Sequence, residues 1–136
     1  MVSTSRRFHG VHRSRVSTLL IDTPTGDAPR AAAFWSAVTG SPLSCTTGEP
    51  QYTGLRDAVP GLVVAVQAVD DVARYHLDVE TDDVAAEVAR LVGLGAGEVS
   101  TWAGCHTLRT PGGHLLCVIP VHSDPAEFLA RAHVWA

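Results

Sequence analysis

His76 opens the part of the chain whose residue types could do chemistry, the run "RYHLDVETDD". Read as a strand, it alternates: Tyr75, Leu77 and Val79 share one face, and His76, Asp78 and Glu80 share the other. The apolar set has to pack under a covering element, which leaves the polar set for a cavity or for solvent. An imidazole titrates near neutral pH and a carboxylate can orient it. His76 is therefore read as a general acid or base, as a metal ligand, or as a polar cavity wall. Side chains two positions apart on a strand lie about 7 Å from each other, so the spacing alone does not pair His76 with Asp78 or Glu80.

Other candidates are scattered along the chain. Cys117 lies in "HLLCVIP", which is apolar on both faces as a central strand covered on two sides would be, and it reads as a buried thiol more readily than as a nucleophile. His106 is a second imidazole whose use depends on which way its strand faces. Tyr52 and Trp102 could stack on a planar ligand, whereas Trp35 falls on a helical stripe and reads as core. Arg56 and Arg109 face either a ligand carboxylate or water. His9 and His12 fall in a basic segment, His114 follows a turn, and His122 and His133 flank a C-terminal helix, so none of the five calls for chemistry. There is no phosphate loop, dinucleotide fingerprint or serine-hydrolase elbow.

The elements that must position these residues follow a plan that occurs twice, about 56 residues apart. "STLLIDTPTGDAPRAAAFWSAVTGSP" runs from an apolar strand through Asp27 into a helical pattern that stops at Gly40. "YHLDVETDDVAAEVARLVGLGAG" does the same through Asp82 and Asp83 and stops at Gly93 or Gly95. Aspartate caps the first free amides of a helix, and glycine takes the left-handed conformation that closes one. Val84, Val88, Leu91 and Val92 form one stripe of the second helix; Ala31, Phe34 and Val38, broadened by Trp35, form that of the first. After each helix come three short strands, with "VPG" and "PGG" as the turns before the last. The order is β-α-β-β-β, twice.

This order, with "LLID" before "AAAFWSAVTGSP", "YHLDVETDD" before "EVARLVGLGA", and the closing "TPGGHLLCVI", resembles the vicinal oxygen chelate superfamily: glyoxalase I, bleomycin-resistance proteins and extradiol dioxygenases. The resemblance covers about residues 16–121. It implies an α/β (α+β) fold of paired βαβββ modules, about 16–69 and 74–121, forming an open, curved mixed sheet or half-barrel with helices outside and a ligand cavity inside. Residues 1–15 read as a flexible basic arm. Residues 122–136 form a C-terminal helical extension capped by Asp124, with Pro125 in its first turn.

Metal-dependent relatives hold their ion with His or Glu near the middle of the first strand of each half and of the last strand. Transferred to this chain, those positions fall at Thr18 (or Ser17), His76 and Cys117. Only His76 keeps a usual ligand, so the resemblance implies no metal of the family type. A rearranged site on His76, His106 and Cys117, for a divalent metal such as Zn, Fe, Mn or Ni, is the alternative. Expected ligand-binding residues are His76, Asp78, Tyr52, Trp102, His106, Cys117 and Thr18, with His76 the candidate catalytic group. The expected function is binding of a small organic molecule, aromatic ligands included. The alternative is a metal-dependent lyase, isomerase or dioxygenase with His76 as ligand or base.

The chain has 136 residues, 46% hydrophobic and 18% charged, as expected of one compact domain. All ten basic residues are arginine, and four of them lie in the first 15 residues. Every acid lies beyond that segment, so the folded body should repel nucleic acid. The three cysteines form no CxxC pair and no secretory leader is apparent, which points to the cytoplasm. The apolar runs are too short to cross a bilayer as helices. A homodimer is a possible assembly.

Overall fold

The computed structural model describes residues 11–136. Residues 1–10, most of the expected basic arm, lie outside the described residues, and residues 12–15 are already strand. The first module is β1 (His12–Pro24), α1 (Ala28–Thr39), β2 (Leu43–Thr46), β3 (Glu49–Val59) and β4 (Leu62–Val69). The second is β5 (Arg74–Thr81), α2 (Val84–Gly93), β6 (Gly97–Trp102), β7 (Cys105–Arg109) and β8 (Leu115–Pro120). The extension adds α3 (Pro125–Arg131) and a short strand, β9 (His133–Trp135), which the sequence did not announce.

All nine strands belong to one mixed sheet of order β2-β3-β4-β1-β5-β8-β7-β6, with β9 pairing to β1 off this path. Within each module the first and last strands are parallel, β1 with β4 and β5 with β8. The modules join through the antiparallel pair β1–β5, in which Leu20 lies opposite His76 and Thr18 opposite Asp78. The repeat that carries Asp27 onto Asp83 also carries Leu20 onto His76 and Asp22 onto Asp78. The join is therefore the seam about which the halves are related. This is the expected mixed sheet of paired βαβββ modules.

Each helix covers its own core. Beneath α1 lie Ile21, Leu55, Val64 and Val66, with Ala32 and Trp35 of the helix packed against them. Beneath α2 lie Leu108 and Val118, packed by Val88 of the helix, with Val84, Leu91 and Leu116 partly buried around them. The stripe expected on α1 is corrected here: Phe34 and Val38 are 60% and 58% exposed, and the packed face is Ala28, Ala31, Ala32 and Trp35. Alanines let the helix approach the sheet closely, and the single indole supplies the bulk, so the two large apolar residues turn outward.

The helix boundaries follow the sequence signals, with one exception. The Asp83 carboxylate accepts from the Ala86 amide at 3.0 Å, and the Asp124 carboxylate accepts from the Ala126 and Glu127 amides. Asp27 occupies the cap position of α1 without a side-chain cap bond and pairs with Arg30 instead. Gly40 closes α1 at φ 70°, the left-handed conformation expected of it.

Candidate functional site

At the seam, Asp22 on β1 and Asp78 on β5 reach the imidazole of His76 from its two sides. Asp22 Oδ2 lies 2.6 Å from Nδ1, and Asp78 Oδ1 lies 3.4 Å from Nε2. Alternation along each strand puts Leu20 and Asp22, and His76 and Asp78, on the same side of the sheet. That side is the wall of a cavity of about 250 Å³. Leu20, Val69, Leu115 and Ile119 give it carbon surface, and Tyr52, Gln67, Thr107, Cys105 and Cys117 give it polar atoms, with Trp102 at the edge. Both modules contribute, so the cavity exists only when the two halves are joined.

The electrostatics centre on His76, which is 9% exposed. Burial alone would pull its pKa down, but hydrogen bonding to Asp22, Asp78 and Cys117 outweighs that and pushes it up to about 11. A pKa raised that far favours the imidazolium, held between two carboxylates, at neutral pH. Asp22 is 2% exposed and also faces Arg74, whose Nε is 3.4 Å from Oδ2. Its other oxygen, Oδ1, is buried with no hydrogen-bond partner among the described residues. An unmatched buried acceptor costs about 1–3 kcal/mol, so a donor brought into the cavity could be drawn to it. Tyr52 has its pKa raised by burial and by the Asp78 and Glu49 carboxylates, so it stays a phenol. The Gln67 amide donates to the Tyr52 hydroxyl at 3.2 Å, leaving the phenolic proton for another acceptor.

Of the residues singled out by sequence, His76, Asp78, Tyr52, Trp102 and Cys117 line this one cavity. Two others do not. His106 lies on the α2 side of β7, beside Val84 and Val88, with Nδ1 3.3 Å from Glu98. Thr18 follows a register shift in β1 and turns its hydroxyl toward His122, 3.4 Å away. Glu80 shares the alternation but is fully buried, and accepts bonds from Ser123 and from the His122 amide. Trp35 packs in the α1 core. Arg109 donates to the Gly113 carbonyl. Sequence reasoning missed Asp22, Gln67 and Thr107. Of these Asp22 had a usable signal, since the repeat that exposes the modules places it on Asp78.

The donor set expected from metal-dependent relatives is not reproduced. By the repeat, the β1 residue equivalent to His76 is Leu20, a carbon wall, in place of the expected Thr18. What the fold does assemble is His76, Asp78 and Cys117, each with a donor atom within 4.8 Å of the other two and all on β5 and β8. His106 cannot complete that group from the opposite face.

A larger hollow of about 410 Å³, lined by Arg15, Ser17, Arg56, His122 and Glu127 among others, shares no residue with the first. Its most buried charge, Arg15, is already held by the Gly61 carbonyl and lies 3.6 Å from Glu80. The chemistry-bearing groups converge in the smaller cavity, and that is where we place the site.

Paired βαβββ modules around a cavity at their seam define a glyoxalase-type architecture. The profile of the glyoxalase-like domain family matches residues 18–119, and the chain belongs to that family. No functionally curated protein sequence matches it. Among solved structures, methylmalonyl-CoA epimerase from Mycobacterium tuberculosis superposes with a TM-score of 0.55 at 14% identity, over 82% of this chain and 90% of that one. A methylmalonyl-CoA epimerase of Streptomyces coelicolor in complex with 2-nitronate-propionyl-CoA gives 0.53 at 16%, over 80% and 98%. A hypothetical protein from Bacillus halodurans C-125 gives 0.55 at 8%, over 82% and 98%. At these identities the likeness is one of fold, and site chemistry has to be argued from the residues themselves.

Proposed function

We propose that this protein binds a small organic molecule in the seam cavity, without the metal usual in the superfamily. The observation that carries the reading is the cavity itself, whose floor is the Asp22–His76–Asp78 cluster and whose walls are carbon in part. At about 250 Å³ it falls below the ~300–1,000 Å³ common for drug-sized ligands, so the occupant is a compact molecule or the reactive end of a longer one. Apolar walls favour a planar or aliphatic body, with Tyr52 and Trp102 as stacking surfaces. The phenolic proton of Tyr52 suits a ligand carbonyl, and Asp22 Oδ1 suits a ligand hydrogen-bond donor. The 2-nitronate-propionyl-CoA complex of a structural neighbour is in keeping with a small organic ligand.

The test is a panel of compact phenols, cyclic ketones and aromatic carboxylates, followed by tryptophan fluorescence and calorimetry. Binders should weaken roughly tenfold in Tyr52→Ala and Trp102→Ala, since a lost stacking contact is worth about 1 kcal/mol or more. Binders indifferent to both changes, or seated in the hollow beside Arg15, would overturn the reading.

A second reading rests on the donor group of His76, Asp78 and Cys117. It makes the protein a metal-dependent lyase, isomerase or dioxygenase, with imidazole, carboxylate and thiolate ligands suited to a zinc-type ion and Asp22 orienting the ring through Nδ1. Elemental analysis of protein purified without a histidine tag separates the two. One metal per chain, lost in Cys117→Ser, would favour the second.

A further inference from the structure

α1 carries apolar side chains on two faces, and one of them is packed. Ala28, Ala31, Ala32 and Trp35 lie against the sheet. Ala33, Phe34, Ala37 and Val38 are exposed, Phe34 at 60% and Val38 at 58%. Arg30 is the one charged residue among the twelve of this helix. A surface helix ordinarily keeps charge on its outer face, and one that is apolar all round belongs under a further layer. No element among the described residues supplies that layer. The same side of the sheet offers a complement to it. Leu19 of the α1 core lies opposite Leu77, and Leu77 opposite Leu116 of the α2 core, so both helices cover one side, away from the seam cavity. Between α2 and the β6–β7 pair runs an apolar groove of about 580 Å³, lined by Val84, Ala85, Val88, Ala89, Val92 and Glu98 among others. Ala85 and Ala89 are exposed and one turn apart, which leaves room over α2 for a bulky side chain.

We propose that a second copy of this chain covers both faces: Phe34 and Val38 of one protomer enter the α2 groove of its partner. Charge agrees with this pairing. Arg30 stands one turn before Phe34 with 82% of its side chain exposed, and Glu98 of the groove is 57% exposed. Each has a pairing within the chain, Arg30 with Asp27 and Glu98 with His106, but exposed pairs of this kind are weak and leave both free to exchange partners. Ridge and groove lie on the same side of one chain, so a two-fold axis parallel to the seam makes the contact twice and closes the pair with each ridge and each groove filled. That doubling carries two helix-sized contacts toward the roughly 1,200–2,000 Å² that a stable interface buries. The seam cavity opens on the other side of the sheet, so the dimer stands whether or not that cavity takes a small molecule.

Sedimentation velocity between about 1 µM and about 100 µM reads the assembly, a range in which micromolar or tighter contacts are populated. The wild-type chain should sediment as a dimer. Phe34→Glu on the ridge and Ala89→Arg in the groove should each raise the dissociation constant about thirtyfold or more, the size of a hot-spot loss, with the circular dichroism spectrum unchanged. Leu129→Glu, at a 59% exposed position on α3, should leave the assembly as it is. Mixing decides which surfaces meet. A Phe34→Glu chain keeps a native groove and an Ala89→Arg chain keeps a native ridge. A mixed dimer therefore retains one native contact and sets an introduced carboxylate against an introduced guanidinium in the other. Equimolar mixing should restore dimers that neither variant forms alone. A wild-type chain that stays monomeric across the range overturns the proposal without any variant having to fold. Dissociation by one variant and not the other overturns it too, as does a dimer that survives both changes, since the interface then lies elsewhere. A mixture that stays monomeric after each variant alone has dissociated overturns the pairing of ridge with groove, because like helices would then meet.

Discussion

The Asp22–His76 contact is the residue-scale feature with the widest consequences. A ring nitrogen 2.6 Å from a carboxylate that is 2% exposed is a charge-assisted bond sheltered from water. With the Asp78 contact it raises the His76 pKa to about 11, which favours the protonated ring across the neutral range. We expect the imidazole carbon-bound protons to show no titration step between pH 6 and 8.5 by NMR. The linkage has a definite sign. The folded pKa of about 11 lies above the unfolded value near 6.5, so the stabilisation is complete below pH 6.5 and is lost as pH climbs through 11. Asp22→Asn should cost about 1–3 kcal/mol near pH 6.5, and its deficit relative to wild type should narrow by pH 10 in urea unfolding. A deficit independent of pH would place the effect in packing alone. Asp22 escaped the sequence reading because its partner is set by β1–β5 register, which no local pattern displays. Asp78 was legible because strand alternation puts it on the face of His76, whereas Cys117 came from the family resemblance, since its strand is apolar on both faces.

At the scale of elements, α2 carries the less obvious device. Its Glu87 is fully buried, although it sits in the first turn of an amphipathic helix where a carboxylate reads as solvated. The start of β1 closes over it. His12, expected in a solvated arm, is 7% exposed, with Nε2 3.3 Å from Glu87, and Arg90 pairs with the same carboxylate. The Arg90 guanidinium in turn lies 3.9 Å from the centre of the Trp135 ring, so the C-terminal strand seals the cluster. Burial pushes the Glu87 pKa up, but hydrogen bonds from Arg90, Ser14 and His12 outweigh it and hold it below the usual carboxylate range. The stabilisation from Glu87 is thus full above its unfolded pKa and is lost as pH falls through the depressed folded value. Glu87→Gln should lower stability by about 2–4 kcal/mol at pH 7, and the difference should close below roughly pH 4, as thermal midpoints across that range would report. Starts and stops of helices are written in single residues such as Asp83 and Gly40, so both helices were legible. The buried face of α1 was not, because Phe34 against Trp35 is decided by how closely alanines let the helix sit.

The whole molecule is two similar halves sharing one seam, and the repeat is its most legible property because start, stop and turn signals recur in the same order. The cavity was less so, since its walls come from both halves and its contents differ between them: Leu20 in one stands where His76 stands in the other. The extension after β8 completes the sheet rather than trailing from it. Residues 133–135 lie in register with 12–14, and His12 is directly opposite Trp135. The first and last described strands are thus immediate neighbours, and the chain is close to a closed loop. A circular permutant should follow from this. Cutting between Asp70 and Asp71, in the exposed connection between the halves, and bridging Trp135 to Val11 with a short glycine–serine tether should yield a protein of near-parental melting temperature. An insoluble or molten product would mean that the order in which the halves are synthesised matters to their docking. A permutant that folds would show that either half can lead, so that the seam is found by surfaces already formed and owes nothing to the direction in which the ribosome delivers them.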